Sequence, residues 1–201
     1  MARDGWYFIL PLILGAVVLW YFGWLVGTGV LVFLAGFVAF FFRDPDRLIP
    51  ADSQAVVSPA DGKVIRIQRE ADGSTRLSIF LSVFNVHVNR APIEGTIVRQ
   101  DYRPGKFFIA SDERASVQNE QLVITICGQR ELSFALIAGI VARRIVPWKK
   151  PGDEVSKGDR IALIRFGSRV DMILPEDCGL VAKKGDRVYS GRSIIARWKE
   201  E

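Results

Sequence analysis

The fold is decided by the stretch Ile161-Ala162-Leu163-Ile164-Arg165-Phe166-Gly167-Ser168-Arg169-Val170-Asp171-Met172-Ile173-Leu174. Its apolar runs before and after the centre are typical of two β-strands. The Gly-Ser pair between them predicts a small turn or strand break at Gly167, because glycine tolerates backbone conformations that other residues avoid. A Gly-Ser hairpin turn is the simplest interpretation of Ser168. The second interpretation is chemical, since a serine hydroxyl beside an accessible glycine carbonyl can attack its own peptide bond.

The N-terminal part of the chain is strongly apolar. No Asp, Glu, Lys, Arg or His occurs from Trp6 to Phe42. At about 1.5 Å per residue, a single helix of this length would overshoot a hydrocarbon core of about 30 Å. The stretch therefore predicts a two-helix transmembrane hairpin with its hinge at Gly23 to Gly29. A secretory signal peptide and a buried soluble hairpin are the alternatives, and the length disfavours the first.

Composition predicts a membrane hairpin over residues 1–45 and a second domain over residues 46–201. Arg43 and Arg47 follow the second span, so the positive-inside rule predicts a cell-membrane protein with this domain on the cytoplasmic side. The net charge of +5 belongs to the same domain and favours contact with anionic lipid. No basic run with interleaved aromatics is present, so nucleic acid is not expected as a partner. The two cysteines are too few for a disulfide framework or a zinc site, and no metal is expected.

Helical periodicity is scarce after residue 50, which predicts a mainly β catalytic domain. Leu77 to Val88 is predicted as one strand region, and it contains the only histidine of the chain, His87. Two G-D-x-V-x-x-G units, Gly152 to Gly158 and Gly185 to Gly191, each precede an apolar strand. This internal repeat is similar to that of biotinyl and lipoyl carrier domains, and it predicts a compact β-sandwich or barrel.

Three side chains beside turns or strand ends form a candidate catalytic set, namely Asp61, His87 and Ser168. An aspartate can orient a histidine, and a histidine can deprotonate a serine near neutral pH. Each residue also has a simpler interpretation, as a turn former, a packed side chain or a turn hydroxyl. The set would also suit a serine hydrolase, although the chain has no G-x-S-x-G motif.

Five motifs occur in a fixed order: Phe42-Arg43-Asp44-Pro45-x-Arg47, Ser58-Pro59-Ala60-Asp61-Gly62, Val86-His87-Val88-Asn89-Arg90-Ala91-Pro92, Asn119-Glu120 and Phe166-Gly167-Ser168-Arg169. From about Phe41 to Ala196 the chain resembles the short form of the pyruvoyl-dependent phosphatidylserine decarboxylase family. The better-known long form differs in three respects. It has Leu-Gly-Ser-Thr at the cleavage point, a second histidine at the position of Arg90, and no clear two-span hairpin.

The resemblance implies a zymogen that cleaves itself. Ser168 would attack the carbonyl of Gly167, with His87 as the base and Asp61 orienting His87. The products would be a β chain, residues 1–167, and an α chain, residues 168–201. The α chain would begin with a pyruvoyl group made from the serine, and the two chains would stay together.

The implied enzyme is a lyase of phospholipid biosynthesis that converts phosphatidylserine to phosphatidylethanolamine and CO2. The pyruvoyl carbonyl would capture the amine of a membrane-embedded serine phospholipid as a Schiff base, with His87 handling the proton. An archaetidylserine decarboxylase would carry the same motifs. A non-enzymatic, lipoyl-like membrane adaptor is the other alternative, although Lys63, Lys183 and Lys184 lack the sequence context of a modified carrier lysine. A homo-oligomer is compatible with the sequence.

Overall fold

The computed structural model describes residues 1–106, 108, 115–139, 144–165 and 167–199. The chain divides into two compact units, Met1–Asp46 and Arg47–Glu201. Phe166, which belongs to the fifth motif, lies outside the described residues. All three residues of the predicted catalytic set, Asp61, His87 and Ser168, are described.

The N-terminal unit contains a 3-10 turn and two helices, Arg3–Gly5, α1 (Trp6–Tyr21) and α2 (Leu25–Phe41). The helices are antiparallel, because Gly27 of α2 approaches Leu19 of α1 while the Thr28 hydroxyl lies 3.5 Å from the carbonyl oxygen of Ala16. The connection is shorter than the predicted hinge. Only Gly23, with φ +76°, turns the chain, whereas Gly27 lies inside α2 and allows the two helices to approach closely.

Most large apolar side chains of these helices are exposed, including those of Tyr7, Val26 and Phe33. By length and composition, the 19-residue segment Arg3–Tyr21 is apolar enough to cross a membrane, whereas Leu25–Phe41 is apolar but shorter. The unit therefore has an apolar surface, in contrast to the second unit, whose apolar residues form an interior core.

The second unit is mainly β, as the sequence predicted. Its described residues form fourteen strands and one short helix: β1 (Ala55–Val57), β2 (Gly62–Arg69), β3 (Thr75–Leu81), β4 (Val88–Arg90), β5 (Gly95–Arg103), α3 (Ala115–Gln118), β6 (Gln121–Cys127), β7 (Glu131–Ala138), β8 (Ile145–Pro147), β9 (Glu154–Val155), β10 (Arg160–Ile164), β11 (Ser168–Leu174), β12 (Cys178–Leu180), β13 (Arg187–Val188) and β14 (Ile194–Trp198).

The largest described sheet is antiparallel and has the strand order β13-β2-β3-β11-β7-β6-β5-β9. Two antiparallel three-stranded sheets have the orders β1-β14-β12 and β4-β10-β8. Val170, Met172 and Leu174 of the interior strand β11 are fully buried in the core. Fully burying one such side chain contributes about 1.5–3 kcal/mol. On the other face of β11, the buried guanidinium of Arg169 donates to the carboxylate of Asp171 at 2.6 Å.

The two sequence repeats occupy equivalent places at opposite edges of the large sheet. β9 pairs with β5 at one edge, and β13 pairs with β2 at the other. In the first repeat the Asp153 carboxylate accepts the backbone N–H of Lys150 at 2.9 Å. In the second repeat the Asp186 carboxylate accepts the backbone N–H of Lys183 at 2.8 Å. The repeated sequence motif therefore corresponds to a repeated turn that is closed by an aspartate side chain.

The predicted strand region from Leu77 to Val88 is interrupted. β3 ends at Leu81 and β4 begins at Val88, with a turn between them. The side-chain oxygen of Asn85 accepts the backbone N–H of Ser82 at 2.9 Å and its hydroxyl at 2.8 Å. A side chain that binds the groups of its own turn stabilises the turn over a continued strand, and this overrides the apolar pattern.

Candidate active site

Gly167 and Ser168 lie where the chain passes from one sheet to another. β10 ends at Ile164 in a three-stranded sheet, and β11 begins at Ser168 in the large sheet. Gly167 has φ +51°, in the left-handed region that favours glycine, and a Cβ added there would meet no described atom within 4 Å. The predicted strand break is therefore confirmed, and the glycine beside it has open space.

Ser168 occupies an interior position of the large sheet. Its register partners are Leu81 in β3 and Ala138 in β7, and its side chain is fully buried. The hydroxyl has no hydrogen-bond partner among the described residues. Leaving a buried polar group unsatisfied costs about 1–3 kcal/mol, so a hydroxyl at this position is not explained by stability.

His87 is fully buried and lies beside the strand that leads to the break. Its backbone carbonyl accepts the N–H of Ile164 at 3.2 Å. Its Nδ1 lies 2.9 Å from the carbonyl oxygen of Asn85. Because a carbonyl oxygen can only accept, Nδ1 carries the proton, and the neutral ring has its lone pair on Nε2. The turn closed by Ser82 and Asn85 thus fixes which nitrogen of His87 can act as a base.

Asp61 is buried at the start of β2, where it anchors two distant segments. One carboxylate oxygen accepts from the Arg47 guanidinium at 2.8 Å. The other accepts from the same guanidinium at 3.1 Å and from the backbone N–H of Ser190 at 2.8 Å. The sequence predicted that Asp61 orients His87. The structure adds a buried ion pair and a backbone contact, which hold the carboxylate in place.

Backbone hydrogen bonds bring the segments of the predicted catalytic set into one region. The N–H of Arg90 donates to the carbonyl of Pro59 at 2.9 Å, which ties β4 to the turn that contains Asp61. The same strand β4 pairs with β10, the strand that precedes Ser168. β4 and its preceding residue His87 therefore lie between the carboxylate segment and the approach to the serine.

The side chain of Asn119 binds Ala138, the residue of β7 that is paired with Ser168. Its side-chain Nδ2 donates to the carbonyl of Ala138 at 2.7 Å and to the carbonyl of Phe108 at 2.9 Å. Its Oδ1 accepts the N–H of Phe108 at 2.8 Å. Because Ala138 is a register partner of Ser168, this buried amide helps to fix the strand end at which the serine lies.

Sequence reasoning gave no role within the site to Arg47, Asn85 or Asn119. Arg47 and Asn119 lie inside quoted motifs, but their partners are distant in sequence, so spacing could not reveal them. The one local signal is Ser82-x-x-Asn85, a spacing that suits a side-chain-closed turn.

Among the residues that the structure describes, no group of three His, Cys, Asp or Glu side chains is placed to hold a metal ion. Burial raises the pKa of the Cys178 thiol to about 12, which keeps it protonated and poorly nucleophilic at neutral pH.

Comparisons with known proteins agree with the motifs. A family model described as phosphatidylserine decarboxylase matches residues 34–196. The chain is 49% identical over 201 residues to the phosphatidylserine decarboxylase proenzyme of Solibacter usitatus, covering 98% of this chain and 96% of the relative. It is 43% identical to the proenzymes of that name from Desulfotalea psychrophila (85% of this chain, 83% of the relative) and Symbiobacterium thermophilum (98% and 95%).

The contribution of the buried ion pair between Arg47 and Asp61 to the free energy of unfolding can be measured. Arg47→Ala is expected to lower the free energy of unfolding by about 3–5 kcal/mol, because it leaves the Asp61 carboxylate buried without this counter-ion. The two side chains are only 11% and 5% exposed. Urea unfolding of the full chain in detergent, followed by near-ultraviolet circular dichroism, measures the loss.

Arg69→Ala is the matched control for this measurement. Arg69 pairs with Glu176 at 3.0 Å, but the two side chains are 71% and 67% exposed. Solvent screens such a pair, so the variant should lose no more than about 1 kcal/mol. Equal losses in the Arg47 and Arg69 variants would contradict the structural role given to the buried pair.

Proposed function

This chain belongs to the phosphatidylserine decarboxylase family, and from that premise we propose that it is a self-processing enzyme that converts phosphatidylserine to phosphatidylethanolamine and CO2. The single observation that carries the site assignment is the buried hydroxyl of Ser168, which has no partner among the described residues and follows Gly167 in a left-handed conformation. The non-enzymatic adaptor is not retained, because the relatives are named decarboxylase proenzymes.

In the proposed maturation, Ser168 Oγ bonds to the carbonyl carbon of Gly167 and the Gly167–Ser168 C–N bond breaks, which gives an ester. The proton of the hydroxyl passes to the released nitrogen. Elimination then frees the Gly167 carboxylate, and addition of water to the remaining enamine or imine releases ammonia and leaves a ketone. The open space beside the Cα of Gly167 supports this step, because the backbone there can move as the peptide bond breaks.

His87 is proposed as the base, and its Nε2 is the atom that takes the serine proton. The hydrogen bond from Nδ1 to the Asn85 carbonyl supports this, since it leaves the lone pair on Nε2. Asp61 is proposed to orient His87. In support, the turn of Asp61 is bonded through Pro59 to Arg90, three residues after the histidine.

The residue at position 168 fits a pyruvoyl group, because that group is formed from a serine and needs no other ligand. Such a group would supply a carbonyl for the amine of a serine phospholipid and an electron sink for the loss of CO2. His87 is then proposed to deliver a proton to the carbon that lost the carboxylate. The buried position of residue 168 limits its contact with bulk water.

We further propose that the helices α1 and α2 form a two-span membrane hairpin, with the catalytic unit on the cytoplasmic face as a lipoyl-like β-sandwich. The exposed apolar side chains of both helices support membrane insertion. The equivalent turns at the two edges of the large sheet support the likeness to lipoyl domains. The net charge of +5 supports contact with an anionic leaflet.

Ser168→Ala tests the proposed cleavage. The wild-type chain should give two fragments on a denaturing gel, the smaller spanning the 34 residues from 168 to 201. The variant should remain a single chain and release no CO2 from phosphatidylserine, because it lacks the hydroxyl. Ser53→Ala, at an exposed turn, is the control and should cleave normally. A Ser168→Ala protein that still cleaves would contradict the assignment.

His87→Ala tests the base. Cleavage should slow by a factor on the order of 10²–10⁴, the usual contribution of a general base. Pulse-labelled protein, sampled over time on a denaturing gel, gives the rate. An unchanged urea unfolding curve would separate loss of the base from loss of folding. Cleavage at the wild-type rate would refute the role of His87.

Two truncations distinguish the contribution of the hairpin from that of the ion pair between Arg47 and Asp61. Removing residues 1–42 should release the protein from membranes and leave cleavage intact, because Arg47 and its contact with Asp61 are kept. Removing residues 1–47 should slow cleavage, since the buried carboxylate then loses Arg47. Membrane flotation and gel analysis measure both properties. If the protein without residues 1–42 stayed on the membrane, the hairpin would not be the anchor.

A further inference from the structure

A groove of about 460 Å³ lies on the outer side of the large sheet, where the first residues of β2 meet the end of β3 and the edge strand β13. Its basic lining residues are Lys63 and Arg187. Aromatic rings of Phe80, Phe84 and Tyr189 form other parts of its surface. The proposed catalytic chemistry uses none of these side chains.

The two cations are placed directly opposite each other. Lys63 and Arg187 are register partners in the antiparallel pair of β2 and β13, so their side chains leave the same face of the sheet. Like charges in this arrangement repel. Both side chains are exposed, and in the part of the chain that the structure describes neither forms an ion pair.

Five other surface arginines of the same unit have a carboxylate within 3.0 Å: Arg69, Arg76, Arg99, Arg130 and Arg197. The cation pair in the groove differs from these five, because the described residues leave both of its charges uncompensated. A bound anion would remove the repulsion and gain charge-assisted hydrogen bonds from both side chains.

The groove is linked to the proposed catalytic residues. Ser82 and Asn85, which close the turn after β3, form part of its rim. The backbone carbonyl of Asn85 binds the His87 ring, and Leu81, just before the turn, is a register partner of Ser168. The groove and the proposed base therefore share the turn after β3. By register, Lys63 and Phe80 leave the face of the sheet opposite to Ser168, so a lipid bound in the groove would reach Ser168 around the end of β3.

We propose that this groove binds the phosphodiester of the lipid substrate, with Lys63 and Arg187 as the ligands of the phosphate oxygens. The proposal rests on the proposed function, in which the substrate is a serine phospholipid. Aromatic side chains beside the cations suit the apolar glycerol and chain region that adjoins the phosphate. The exposed ring of Phe84, 67% accessible, lies at the tip of the turn and faces the same groove.

The test uses mature full-length enzyme and monomeric dihexanoyl phosphatidylserine, below its micelle concentration, so that attraction to a charged surface does not contribute. Lys63→Ala and Arg187→Ala should each raise KM about tenfold, and the double variant more, because each removes one charge-assisted contact. The value of kcat should change less than about twofold. Lys150→Ala removes an exposed lysine near the opposite sheet edge and should leave KM unchanged.

Each outcome bears on the proposal. An unchanged KM for monomeric lipid in the double variant would overturn the proposal, even if activity on anionic vesicles fell. In that case the two cations would only attract the protein to a charged surface and would not bind the phosphate of the substrate. Inorganic phosphate should inhibit the wild type competitively and the double variant less. Loss of phosphate inhibition without a change in KM for lipid would also overturn it. Wild-type enzyme that cleaves but releases no CO2 would instead refute the proposed function.

Discussion

The chain passes from a three-stranded sheet to the large sheet over a very short linker between β10 and β11, and the rest of the structure depends on this constraint. β10 is held in a small sheet, where its last residue donates to the carbonyl of His87, and β11 starts between two long strands of the large sheet. Three residues, 165–167, make the connection. A left-handed glycine meets this constraint, and the next residue must enter the core. The same constraint therefore gives the proposed reaction its left-handed glycine, its buried hydroxyl and the histidine beside β10.

The topology also explains how a cleaved chain would hold together. Residues after position 167 supply the interior strand β11, which pairs with β3 and β7, and β14, which pairs with β1 and β12. The N–H of Ser190 adds a contact to the buried carboxylate of Asp61. Breaking the peptide bond at the start of β11 would leave these ladders and the core of β11 intact. The proposed α and β chains thus remain one folded unit.

The sequence revealed the mainly β class, the strand break at Gly167 and the edge repeats, because local periodicity and glycine positions encode them. It did not reveal the turn after β3, because valine and phenylalanine continue the apolar pattern while Asn85 closes the turn with its side chain. The partners of Arg47 and Asn119 were also missed, since they depend on segments far away in sequence. The two cations of the groove are brought together by the pairing of β2 with β13. The sequence could not reveal this pair, because the register of strands distant in sequence is a tertiary property.

Intact mass of the purified, active protein tests the central claim most directly. The account predicts two masses, one for residues 1–167 and one for residues 168–201 that is lighter than the unmodified fragment by one ammonia. Borohydride should reduce the ketone and shift only the smaller mass. A single mass for the whole 201-residue chain in active enzyme, unchanged by borohydride, would contradict the account.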